Sequence, residues 1–353
     1  MTTIDSSAAG TRPPAPAAAP GAWRRRRVAG LLAILVGLVV AVLLSLSFGA
    51  NPVPLGTVWR VMFSPDDSDA SVIVWTLRWP RTLLGILAGA AFGVAGALIQ
   101  ALTRNPLADP GILGVNAGAS FAVTLGIATL GLSGVTQYAL AAFAGATAAT
   151  ILVYLIGSAG RWSASPVTLV LAGVALAAVL GGIDTFLTLI DPDTFTAARN
   201  WGLGSIAHAD TSATLGVLPF VAAGLAIAML LSGALNAVAL GDDLAAALGT
   251  NIMRTRVLGI LAVTLLAGGA TSLTGGIAFV GLMVPHIVRW FVGPDQRWII
   301  GYSALAAPVM VLLADVLGRV IARPGEIEVG VLTAVIGAPV LITLVRGRTV
   351  SEL

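Results

Sequence analysis

Long uncharged stretches separated by short charged ones set the pattern of this chain. No charged residue falls within windows 28–51, 82–103, 111–160, 162–183, 211–241, 257–285, 298–314 or 329–345. A helix that crosses a bilayer takes about 20 apolar residues. Window 111–160 therefore holds two helices, and the stretch from 257 to about 291 holds two more, joined at Thr274-Gly275-Gly276. The predicted fold is an all-α polytopic membrane protein with about ten transmembrane helices.

Composition agrees with the pattern. The 353 residues are 57% hydrophobic and 10% charged, which excludes a water-soluble globular fold. Residues 1–21, rich in alanine and proline, read as a disordered tail. With the run Arg24 to Arg27 they form a segment, 1–27, that ends in a basic anchor before a membrane domain over 28–348. The first apolar run exceeds signal-peptide length and lacks a small-residue cleavage site, so it is read as a retained helix.

With an even number of spans and both termini cytoplasmic, 13 of the 19 cationic residues fall inside, as the positive-inside rule requires. All 19 are arginine, so no Gly-rich phosphate loop with its lysine exists here, and any ATP that drives this chain is bound by another. Cysteine is absent, which excludes disulfides, thiolate metal sites and cysteine nucleophiles. The reading assigns no catalytic residue, metal or cofactor to this chain.

Charge and tight-turn residues mark both mouths of the second span. Arg78-Trp79-Pro80-Arg81 stands at its outer end and Arg104-Asn105-Pro106-Leu107-Ala108-Asp109-Pro110 at its inner end. Arg78, Arg81 and Arg319 fall outside, against the insertion bias. They either pair with Asp315, Glu326 and Glu328 or form a docking surface for an acidic partner. Gly85, Gly89, Gly93 and Gly96 share one helical face and read as a close-packing stripe.

The segment 239–250 is short and amphipathic. Asp242 and Asp243 suit a helix N-terminus, and Leu244, Ala247 and Leu248 lie on one face. It is either a solvated connector or a helix inserted into a cytoplasmic partner. Pro285 breaks or kinks its span and frees a carbonyl. Beside it, His286 with Arg289 is either a packing and capping pair or a proton relay, and Asp184 is either a functional acid within the membrane or one reached by water from the nearby interface.

These segments, in this order, resemble the permease subunit of bacterial ATP-driven importers for iron-siderophores, haem and cobalamin, the FecCD family. The resemblance runs from about Leu55 to Arg346. It rests on Arg78-x-Pro80-Arg81, Gln100 with Arg104-Asn105-Pro106-Leu107-Ala108-x-Pro110, Leu113-Gly114 with Gly118-Ala119, Leu171-Ala172-Gly173-Val174, Trp201 with Gly204-Ser205, Gly281-Leu282 with Val284-Pro285-His286, Asp315 with Arg319, and Glu326 with Gly330 and Gly337-Ala338-Pro339. It implies a ten-helix permease in the bacterial plasma membrane that pairs with an identical or related second permease. A substrate-binding protein docks outside, and two ATPase subunits sit inside and consume the ATP; nucleic acid plays no part.

Residue by residue, the resemblance assigns Arg78, Arg81 and Arg319 to binding-protein docking. Gly241, Asp242, Asp243, Leu244, Leu248 and Gly249, within the loop 237–256, go to ATPase coupling, and Leu107, Ser165 and Pro166 to the inner gate. Three departures stand out: Trp79 for the usual leucine, Ser165-Pro166-Val167 for a more hydroxyl-rich pattern, and Glu328 for a proline, an added acid near Arg319. The expected cargo is a ferric siderophore, with haem and cobalamin as alternatives. A rival class is an ion-coupled secondary transporter, for which Asp184 is the sole support. A metal-dependent intramembrane enzyme is disfavoured, because Asp66-Asp67 and Asp242-Asp243 fall on opposite sides of the membrane in this topology.

Overall fold

A computed structural model describes residues 20–158 and 166–346, without the side chains of 20–24, 344 and 345. Among the described residues every regular element is helical. Helix α1 (Pro20–Ser47) rises from one end of the bundle, here the base, to the other, the rim. Short α2 (Leu55–Phe63) and α3 (Asp69–Val72) lie at the rim, and α3 runs through a π-helical stretch, Ile73–Arg78, into α4 (Trp79–Thr103). A 3-10 turn, Pro110–Leu113, leads to α5 (Val115–Leu130), followed by α6 (Val135–Ser158) and α7 (Pro166–Ile190).

Helix α8 (Pro192–Gly202) caps the rim, α9 (Thr211–Ala239) returns to the base, and α10 (Asp242–Ala247) is a single short turn there. Helix α11 (Ile252–Val263) continues through a π-helical stretch, Thr264–Gly268, into α12 (Gly269–Thr274). The chain closes with α13 (Val280–Val292), α14 (Gln296–Ile321) and α15 (Val329–Arg346). Among the described residues seven helical runs are long and apolar enough to cross a membrane, and Val115–Leu130, Val280–Val292 and Val329–Thr343 are shorter apolar helices. The expected junction at Thr274-Gly275-Gly276 is where α12 ends.

Two boundaries differ from the sequence reading. Residues 20–27 belong to α1 rather than to a tail, while 1–19 lie outside the described residues. Pro20 suits a first helical turn, and the basic turn is held in place: Arg26 and Arg27 donate to the Trp290 and Val292 carbonyls at the end of α13, at 3.1 and 3.0 Å. Arg78 and Arg81 are not at a helix end either, because helix runs unbroken from Asp69 to Thr103. Charge windows start the second span at Thr82, and they miss a helix that begins in polar sequence.

Helix α4 is the centre of the bundle and is buried along most of its length. Its glycine stripe explains how. A Cβ at Gly89 would stand 2.6 Å from Pro308 Cα of α14, one at Gly93 would overlap Ala307 and Ser303, and one at Gly96 would collide with the Gly281 carbonyl of α13. The packing reading of the stripe holds: small residues bring backbones together where lipid supplies no hydrophobic drive between helices. Gly118 and Gly145 repeat the device where α5 crosses α6.

Pro285 removes the N–H that would bond the Gly281 carbonyl, four residues earlier. Gln100 of α4 supplies the replacement, its Nε2 donating to Gly281 O at 3.3 Å and to Leu282 O at 3.1 Å. Helix α13 is short because residues 275–279 enter the bundle as non-helical chain. That is tolerable at membrane depth only because protein encloses most of it. His286 packs edge-on against Trp290, 5.5 Å between ring centroids, as the packing reading expects.

The Gly96 crossing gives a direct test. Gly96→Leu should abolish recovery of folded, monodisperse protein from detergent extracts, since overpacking by even a few methylenes costs about 1–3 kcal/mol and here the obstacle is backbone. Gly182→Ala, at a position with open space around it, should extract like the wild type.

Candidate functional site

At the rim, the three singled-out arginines meet, but they face inward. Arg78, Arg81 and Arg319 are 5%, 8% and 2% exposed, and Asp315 between them is 1% exposed. Arg81 donates to Asp315 Oδ1 from Nε at 3.0 Å and from Nη2 at 2.6 Å, and its Nη1 reaches Glu326 Oε2 at 2.6 Å. Arg319 pairs with the other carboxylate oxygen of Asp315 at 2.8 Å. At the end of α1, its Nη1 donates to Ser45 O at 3.0 Å and Phe48 O at 2.6 Å, and its Nη2 to Ser45 Oγ at 3.1 Å. Ser45 Oγ in turn meets Thr82 Oγ1 at 2.8 Å.

Arg78 donates to Leu46 O at 2.6 Å and to the Asn51 carbonyl. Arg78 and Arg319 thus satisfy the orphan carbonyls at the C-terminal end of α1, where a cation is favoured. This structural duty is a role the sequence did not reveal. Among the described residues no carboxylate is bonded to Arg78, whereas Arg81 and Arg319 share Asp315.

A cavity of about 520 Å³ opens beside the cluster, lined by Arg78, Arg81, Arg319, His208, Glu326 and Glu328. A second, of about 570 Å³, is lined by Tyr138, Asn200, Trp201, Ser205, Thr274 and, again, His208 and Glu328. Distant motifs converge here: Ser205 N–H donates to Thr274 O at 2.7 Å and Gly330 N–H to Gly204 O at 2.8 Å. Glu328, read as an added acid near Arg319, therefore lines the arginine cavity itself.

At the base, α10 is bracketed by Gly241 at φ 105° and Gly249 at φ 81°, conformations that a side chain would strain. Only Ala245 turns into the bundle. Leu244 and Leu248 face outward, Leu248 with 62% of its surface exposed, and Asp243 is exposed too. Asp242 is tied down: Arg256 Nη2 reaches Oδ2 at 2.7 Å, and Arg104 Nη2 stands 3.5 Å from Oδ1.

Arg104, overlooked as a functional residue by the sequence reading, ends α4 in the left-handed region at φ 49°, ψ 37°. That conformation costs a side-chain-bearing residue about 1–2 kcal/mol. The ion pair it makes is about one-third exposed on both sides. Such a pair contributes only about 0–1 kcal/mol.

Of the gate residues, Leu107 is exposed in the hairpin after α4, and the N–H of Leu107 bonds Asn105 Oδ1 at 2.9 Å. Nearby, burial pushes the Asp109 carboxyl above its ordinary value, opposed by the Gly111 N–H at 2.8 Å. Pro166 opens α7 and lines a crevice with Ile99, Thr103, Arg256 and Ile260, while Ser165 lies outside the described residues. Asp184 accepts from Ser120 Oγ at 3.0 Å, joining α7 to α5.

Comparison with known proteins gives one answer. Residues 37–347 match the FecCD transport family. The chain is 50% identical over 323 residues to the ferric enterobactin transport system permease protein FepD of Escherichia coli strain K12, covering 91% of this chain and 95% of that one. It is 37% identical to the Fe(3+)-citrate import system permease protein YfmD of Bacillus subtilis strain 168, with 92% and 97% covered. It is also 32% identical to the hemin transport system permease protein HmuU of Yersinia pestis, with 88% and 95% covered. A solved structure described as an inward-facing conformation of a metal-chelate type ABC transporter superposes with a TM-score of 0.79 at 26% identity, covering 91% of this chain and 99% of that one. With helices that match in order and motifs that meet in space, the chain belongs to the FecCD transport family and is a multi-pass membrane permease subunit of the ABC importer class.

Proposed function

We propose that this chain carries a ferric siderophore across the bacterial plasma membrane, with its base, and so both termini, in the cytoplasm and its rim outside. Partner ATPase subunits bind and consume the ATP, and this chain binds no cofactor. An external binding protein delivers the cargo, and a second permease, identical or related, completes the pathway. The observation that carries this reading is the division of labour between the two ends of α4. An arginine-lined cavity opens at the rim, and a tethered short helix with outward leucines stands at the base. The cargo is inferred from the relatives, among them the ferric enterobactin permease at 50% identity.

At the rim, Arg78 is the residue proposed to meet an acidic side chain of the binding protein, because its own partners are carbonyls. Arg81 and Arg319 hold the cavity wall through Asp315. At the base, Leu244 and Leu248 with Asp243 form the face offered to the ATPase. Leu107, Ser165 and Pro166 are proposed to narrow the inner mouth.

Uptake of labelled ferric enterobactin, ferric citrate, hemin and cobalamin, in cells with and without the chain, tests the cargo. Selective loss of a ferric siderophore on deletion is expected. Retention of every uptake would overturn the transport claim, and loss on collapse of the proton gradient at constant ATP would favour an ion-coupled carrier instead.

The arginines should separate in a second assay. Arg81→Ala leaves Asp315 buried with one partner fewer, a class of change that costs about 3–5 kcal/mol, so a clear drop in melting temperature is expected. Arg78→Gln keeps a donor for one carbonyl and removes the charge. It should melt close to wild type while binding-protein-dependent uptake falls at least about fivefold, the low end of ordinary coupling factors. Undiminished uptake in Arg78→Gln would sink the docking role.

A further inference from the structure

Arg104 occupies a backbone position that suits glycine, and it does so for little return in stability. It is one of two non-glycine residues with positive φ among those described. Its guanidinium forms an ion pair with Asp242 Oδ1 at 3.5 Å, alongside Gly241, where a Cβ would stand in ordinary contact 3.9 Å from Arg104 Nη1. The pair is too exposed to repay the backbone strain, so stability does not account for arginine at this position. Geometry does. Asp242 opens α10, and its second oxygen is held by Arg256 of α11. One carboxylate thus joins the end of α4, the start of α11 and the short helix between them.

Helix α10 has six residues, too few to persist unaided, and it hangs between two glycines in glycine-type conformations. Its orientation therefore depends on what grips it. We infer that Arg104 is a positioning residue that fixes α10 to the base end of α4, so that displacements of the central helix reach the Leu244–Leu248 face, and displacements of that face reach α4. This rests on the proposed coupling role of α10 and adds to it the strut through which the coupling runs. Toward the rim on the same helix stands Arg81, locked to Asp315 of α14 and to Glu326. Helix α4 is thus gripped by ion pairs at both mouths.

The chain has no native cysteine, so a single nitroxide label at Leu248→Cys reports on α10 without background. In the full-length protein reconstituted in lipid, Arg104→Gly should shift the label spectrum toward fast motion while the melting temperature stays equal to wild type or rises, because glycine relieves the backbone strain. Arg104→Lys, which keeps the charge, should restore the restricted spectrum. ATP-driven uptake should fall at least about fivefold in Arg104→Gly and recover in Arg104→Lys.

An unchanged label spectrum in Arg104→Gly would show that no such tether exists. A mobile label with full uptake would show that the tether does not serve coupling, and a melting temperature that falls in step with uptake would make Arg104 merely structural. Absence of ATP-driven uptake in the wild type would overturn the transport reading instead, and the label spectra would still decide the tether.

Discussion

The fold depends on one central helix, α4, that is buried along most of its length. In a bilayer the hydrophobic effect does not drive one apolar helix onto another, so contact must come from close fit and from polar groups with no better partner. Helix α4 supplies both. Its glycines let Pro308, Ala307 and Gly281 approach to backbone distance, and Gln100 closes the carbonyl that Pro285 leaves open in α13. An unpaired carbonyl at that depth would be expensive, and so would a side chain at Gly96. The stripe and the glutamine are complementary solutions to one crowding problem, on a helix that runs from the arginine cluster at the rim to the aspartate at the base.

The charges at each end follow from the same constraint. Helix ends leave carbonyls without partners, and here arginine fills the need repeatedly: Arg78 and Arg319 at the end of α1, and Arg26 and Arg27 at the end of α13. The planar, multi-donor guanidinium lets Arg319 hydrogen-bond two carbonyls and a hydroxyl while pairing with a carboxylate. A lysine has a single nitrogen with which to attempt it. The exclusive use of arginine in this chain is thus consistent with a structural demand at buried helix ends.

Much of this was legible in the sequence, because lipid simplifies the code. Charge-free windows located the long helices, and three- to four-residue spacing identified the glycine face. Sequence also suggested that Arg81 and Arg319 have acidic neighbours in Asp315 and Glu326. What it hid has physical causes. The helical start of α4 lies in polar sequence, and α8 is too amphipathic for a charge-window reading. The tether at Arg104 depends on a left-handed backbone turn and on a residue 138 positions away, which no local pattern encodes. Pairing with carbonyls, the fate of Arg78, leaves no sequence trace, since every residue has one.

Glu328 shows how local gain and regional cost coexist. It stands at the start of α15, its backbone carbonyl accepting the Leu332 N–H, where a negative side chain is favoured by the helix dipole. The same carboxylate lines both rim cavities. There it offsets the arginines: with Asp315 and Glu326 it balances the formal charge of Arg78, Arg81 and Arg319. In the proposed docking, a partner at this rim would gain little from net attraction and would depend on which individual cation lacks a carboxylate of its own. Among the described residues Arg78 is hydrogen-bonded to backbone oxygens alone, so under the proposed docking, specificity at the rim would be a matter of reaching a single guanidinium rather than of sensing a positive field.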